Sequence, residues 1–178
     1  MLETQYNASR NRHMGSYAVL KEQPADEKLV FFSSLNPWTH FLTLTYKPPR
    51  GGRVPSRVQV LKSSRLFLSR LNRRVYGRHG VRRHGFRIGS CAVLGWGAYG
   101  DHPHTHWLLA KPPQIEEPEF AQLIHVMAST THGIGVERDL QLYFSPRVIK
   151  YMFGHGFDCW IDQVTFEAKC PVHRRCLA

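Results

Sequence analysis

The sequence lacks acid where most chains scatter it. From Lys28 to Gly100 there is no Asp or Glu, while 14 Lys or Arg fall within the same 73 residues. Across all 178 residues, 24 Lys and Arg face 13 Asp and Glu, a formal net charge of +11. A surface of one sign repels itself and gains from a polyanion, so nucleic acid is the expected partner. No apolar face accompanies the basic one, which argues against a membrane surface. Long apolar runs are also missing, so no membrane span is expected. Residues 1–17 hold no apolar signal segment, and the expected location is cytoplasmic. Four cysteines are too few for a disulfide scaffold in a chain this long, which fits a reducing compartment.

What is present divides into three parts. Residues 1–30 read as a polar arm, residues 31–160 as one domain, and residues 161–178 as a tail. Within the domain, His40 to Tyr46 is β-branched and aromatic and closes on Lys47-Pro48-Pro49, a strand with its turn. Residues 56–76 carry a helical period, with Val58, Leu61, Leu68, Leu71 and Val75 on one side. Gly77 would cap that helix, and residues 77–85 would form a basic loop. Residues 86–96 and 103–110 read as two strands of a hairpin. Residues 116–131 read as a helix with acids in its first turn, where the helix dipole favours them. Residues 136–144 read as a strand. Ser145 then caps a helix opened by Pro146 and ended by Gly154-His155-Gly156. The order β, α, β, β, α, β, α predicts an α+β sandwich, a mainly antiparallel sheet with helices packed on it.

The densest chemical signal is Asp101-His102-Pro103-His104-Thr105-His106. Side chains two apart on a strand share a face, so two imidazoles at i and i+2 converge on one divalent cation. All three histidines cannot bind one ion from a straight strand, since i to i+4 spans roughly 13 Å. The apolar continuation Trp107-Leu108-Leu109 sets His104 and His106 deepest, making them the expected ligands. His102 and Asp101 are further candidates. Downstream, Tyr151 follows Lys150, with His155 one helical turn on. A tyrosine can attack a metal-polarised phosphate and remain attached as an ester. Cys159, Cys170, His173 and Cys176 fit no zinc spacing.

Taken in order, the Phe41-Leu42-Thr43-Leu44-Thr45 strand, the His104-Thr105-His106 strand and the Tyr151 helix resemble the HUH endonucleases. The closest type is the replication initiator of rolling-circle plasmids and small single-stranded DNA phages. The resemblance implies a ferredoxin/RRM-like sheet with the histidine pair on a central strand. It implies a divalent metal, Mn or Mg, held by His104 and His106, with Tyr151 as nucleophile and Lys150 steadying the phosphate. It implies single-stranded DNA at an origin or hairpin as substrate. The chain has no GxxxxGK loop, so unwinding would fall to a separate host helicase. Arg50, Arg53, Arg57, Lys62, Arg65, Arg70, Arg73, Arg74, Arg78, Arg82 and Arg83 would hold the DNA backbone. Four positions depart from the pattern. Thr105 stands where a bulky apolar residue is usual, no acid occurs in residues 92–100, Gly154 replaces a common lysine, and Arg147 replaces a second tyrosine. Single-tyrosine transposases share the same motif order. Two other readings of the sheet and basic surface are a non-catalytic nucleic-acid-binding module and an RNA-binding regulator.

Overall fold

The computed structural model describes residues 37–48, 52–96, 102–143, 145 and 147–154. The expected arm of residues 1–30, the tail of residues 161–178, and Arg50, Asp101, His155, Cys159, Cys170 and Cys176 lie outside them. The elements are β1 (His40–Tyr46), α1 (Arg57–Arg83), β2 (Gly89–Trp96), β3 (Pro103–Ala110), α2 (Glu117–Thr130), β4 (Ile134–Leu142) and α3 (Arg147–Gly154).

The four strands form one sheet in the order β2-β3-β1-β4, and every neighbouring pair is antiparallel. It follows that β1 and β2 run parallel and are joined through α1, while β3 and β4 run parallel and are joined through α2. These are two interleaved βαβ units, the ferredoxin-like split arrangement. Crossovers of the usual right hand put both helices on one face. The packing agrees. Val60, Phe67, Leu68 and Leu71 of α1 and Phe120, Ile124 and Ala128 of α2 bury one core with Leu42, Leu44, Leu94, Trp107 and Leu109. Strand alternation sends the intervening residues the other way. There, Phe41, Cys91, Val93 and Leu108 form a second, smaller core with Ile149 and Met152 of α3. The sheet is therefore covered by two helices on one side and by a short helix on the other.

Local chemistry fixes the helix starts. Ser56 caps α1: its hydroxyl accepts from Gln59 N at 3.3 Å, and the Gln59 side chain accepts from Ser56 N at 2.8 Å. Ser145 Oγ accepts from Arg147 N at 3.2 Å at the start of α3.

The structure corrects the sequence reading of α1 in two ways. Gly77 does leave the helix, with φ +70°, but the chain resumes helical turns to Arg83 rather than forming a loop. Gly80 is buried there, and a Cβ at that position would stand 3.1 Å from the Phe86 ring, so the second segment docks through its lack of a side chain. Val58, expected on the inner side, is 73 % exposed. The inner face includes two polar residues instead, Ser64 and Asn72. Asn72 Oδ1 accepts from Ile88 N at 2.7 Å and anchors the entry to β2.

Candidate functional site

On β3, the residues alternate between the two cores. Thr105, Trp107 and Leu109 face α1 and α2, while His104, His106 and Leu108 face the side of α3. The imidazoles of His104 and His106 lie with centroids 4.8 Å apart at 67°. His106 is buried and His104 half-buried. Tyr151, from α3, presents its ring to His106 at 5.1 Å and 64°. Phe41 of β1 stacks on His106 at 5.5 Å and meets Tyr151 edge-on at 6.4 Å. Ile149 and Met152 are buried against the sheet and hold α3 in place. Tyr151 itself is 53 % exposed, which leaves it reachable by a polymer. Three residues separated by up to 47 positions in sequence are thereby gathered at one spot.

Each imidazole is oriented through its Nδ1. That of His104 lies 2.9 Å from the carbonyl oxygen of His102, which only accepts, so Nδ1 carries the proton. In the neutral ring, Nε2 then holds the lone pair. The Nδ1 of His106 lies 3.1 Å from the hydroxyl of Thr43, its direct partner across the β1–β3 ladder. An imidazole that gives its Nδ1–H to an oxygen and keeps Nε2 for an ion is the usual arrangement of metal-binding histidines. Gly95 of β2 sits opposite His104, and a Cβ there would come 2.5 Å from His104 Nε2. The His104 ring packs directly against Gly95, and only glycine fits there. The donor types therefore suit a divalent cation at two of its positions, His106 offering Nε2 in the tautomer that donates Nδ1–H to Thr43. Among the described residues, no group of three His, Cys, Asp or Glu side chains could hold a metal ion.

The sheet's other face explains Thr105. Its hydroxyl lies 2.7 Å from the Tyr46 hydroxyl and accepts from Trp107 Nε1 at 2.7 Å. The Tyr46 hydroxyl also lies 2.6 Å from that of Ser64 on α1. Burial of Tyr46 pushes its phenol up to about 12, against the pull of the Ser64 and Thr105 hydroxyls. A bulky apolar residue at position 105 would leave this buried network unsatisfied. The network ties β1, β3 and α1 together directly behind the histidine pair.

The remaining predicted site residues are spread out. His102 is exposed at the start of β3. Lys150 is exposed on α3, turned about 100° around the helix from Tyr151. The basic residues of α1 stand on the helix-covered side of the sheet, opposite the histidines and Tyr151. Arg70 bonds to both the carbonyl and the hydroxyl of Thr130 at the end of α2, so its guanidinium serves packing. Arg53, Arg57, Lys62, Arg65, Arg73, Arg74, Arg78, Arg82 and Arg83 are exposed.

Sequence reasoning puts Phe41 and Thr43 on a motif strand but gives neither them nor Gly95 a role at the site. Thr43, Phe41 and Gly95 are placed at the site only by strand pairing. The one available signal is the Thr43-Leu44-Thr45 alternation, which puts two hydroxyls on a single strand face. No helix among the described residues is long and apolar enough to cross a membrane. No protein-family model, curated protein or solved structure matches this chain.

Proposed function

We propose that this chain is a metal-dependent endonuclease of the HUH kind, which nicks and rejoins single-stranded DNA and so initiates rolling-circle replication. The observation that carries the reading is the placement of Tyr151 over His106, with His104 beside it on the same strand face.

His104 and His106 would hold a divalent cation, Mn or Mg, through their Nε2 atoms. Water, the phosphate itself and Asp101, which lies outside the described residues, would supply the remaining donors. When bound, the ion withdraws charge from the scissile phosphate and makes phosphorus easier to attack. The rest belongs to the chain. The Tyr151 oxygen attacks phosphorus, a bond forms between them, and the bond to the 3′ oxygen breaks. The phenolic proton is lost and the departing 3′ oxygen gains one. The products are a 5′-phosphotyrosine and a free 3′-hydroxyl. One ester replaces another, so no external energy source is needed, and the reverse step reseals a strand. Thr43 and Phe41 fix the plane of His106. Tyr151 is exposed enough to meet a strand bound across the surface, and Lys150 adds positive charge nearby. The strand would approach on the α3 side of the sheet, where Tyr151 is exposed.

The test is incubation with Mn2+ and a labelled pool of random single-stranded oligonucleotides, followed by a denaturing gel. The expected result is protein-linked DNA that is lost on chelation and in His104→Ala. Tyr151→Phe should reduce it by on the order of 10³-fold or more. Adduct that persists in Tyr151→Phe would assign the nucleophile elsewhere.

A further inference from the structure

The longest basic element among the described residues is on the wrong side to hold the strand at Tyr151. α1 buries Val60, Ser64, Phe67, Leu68 and Leu71 against the sheet face opposite the histidine pair. Its outer side carries Lys62, Arg65 and Arg73, all exposed. Helical geometry puts these three in one sector about 80° wide and within about 17 Å along the axis. Beyond the break at Gly77, Arg78, Arg82 and Arg83 are exposed as well. The helix has no Asp or Glu in its 27 residues. From the sheet to the outer side of a helix packed on it is on the order of 15 Å. A single strand seated at Tyr151 would have to wrap the domain to reach this stripe.

The stripe also lacks what a single strand needs. Bases of an unpaired strand stack on exposed aromatic rings. Of the aromatics on α1, Phe67 is fully buried and Tyr76 packs on Phe86 at 5.8 Å. The exposed large apolar side chains there are aliphatic, Val58 and Leu66, and the exposed ring of His79 lies beyond the break at Gly77 and meets His84 at 5.2 Å. A row of cations without exposed aromatic rings beside it suits a backbone whose bases are already paired.

We propose that the outer face of α1, centred on Lys62, Arg65 and Arg73, docks the sugar-phosphate backbone of duplex DNA. It does so without metal, without base readout, and on the opposite side of the sheet from the cleavage site. The protein then holds a duplex flank on one face and the strand to be cut on the other. The choice of DNA as the polyanion rests on the function proposed above, whereas the duplex surface rests on α1.

The test uses the full chain with a labelled duplex of about 20 base pairs, read by fluorescence anisotropy in EDTA across a salt series. Lys62→Gln/Arg65→Gln/Arg73→Gln should weaken duplex binding on the order of 10²-fold at 0.1 M salt. The logarithmic salt slope should shrink by about three. Lys62→Arg/Arg65→Lys/Arg73→Lys should restore binding, and matching thermal melts show that both variants fold. Binding to a single strand should change little, and Tyr151→Phe should bind duplex like the parent. Unchanged duplex affinity in the glutamine variant would overturn the proposal. So would parallel loss of duplex and single strand, or a tenfold preference for duplex RNA of the same sequence. Duplex binding lost only in the glutamine variant, with no adduct formed by the parent, would uphold this surface and remove the nickase reading.

Discussion

The two faces of the sheet handle buried polar groups in opposite ways. On the face under α1 and α2, each is tied to a near neighbour. His40 is buried there with Nε2 2.5 Å from a Glu117 carboxylate oxygen and Nδ1 2.8 Å from the Thr39 hydroxyl. Burial pushes its imidazole down, against the opposing pull of Glu117. Tyr46, Ser64, Thr105 and Trp107 close a second network on that face. On the α3 face, two imidazoles meet each other and a tyrosine, and a hydroxyl and a carbonyl lie at their Nδ1 atoms. A single strand, β3, feeds both faces by alternation. The tied network on one side thereby fixes the placement of His104 and His106 on the other.

Four substitutions or conditions should break or sharpen that contrast. The largest effect is expected for Trp107→Ala, which empties the centre of the helix-covered core and should cost about 3–5 kcal/mol in denaturant unfolding. Next is alkaline pH. An unfolded tyrosine ionises near 10, and buried Tyr46 is pushed up to about 12. Stability should be intact below pH 10 and fall as pH rises toward 12, by about 3 kcal/mol in total. Tyr46→Phe should abolish that slope in urea titrations. Thr105→Val should cost about 1–3 kcal/mol by leaving Trp107 Nε1 without its acceptor, measured the same way. Gly95→Ala belongs to the other face. It should leave stability within about 1.5 kcal/mol yet lower Mn2+ affinity on the order of 10–100-fold in calorimetry, because its Cβ takes the space beside His104 Nε2.

Much of this was legible in the chain. The period of two in His102-Pro103-His104-Thr105-His106 set the histidines on one strand face without any partner strand. The element order predicted the sheet with its helices, and the order β2-β3-β1-β4 meets it. What escaped is long-range. Thr43 and His106 are 63 residues apart, and only the β1–β3 register joins them. Val58 was misplaced because the inner face of α1 contains Ser64 and Asn72, which a search for apolar residues passes over. The basic residues of α1 do lie on its outer side, and only the strand order sets that helix on the sheet face opposite the histidines. Gly77 announced a break, and its φ of +70° is one, but docking of Gly80 beside Phe86 carries the helix past it.

The most direct measurement is the location of the covalent bond. After reaction with single-stranded DNA and Mn2+, nuclease trimming and trypsin digestion would leave a nucleotide on one peptide, identified by mass spectrometry. The account predicts the adduct on Tyr151, in the peptide that follows Lys150. An adduct on any other residue, or an unmodified Tyr151 where DNA has been cleaved, would contradict it.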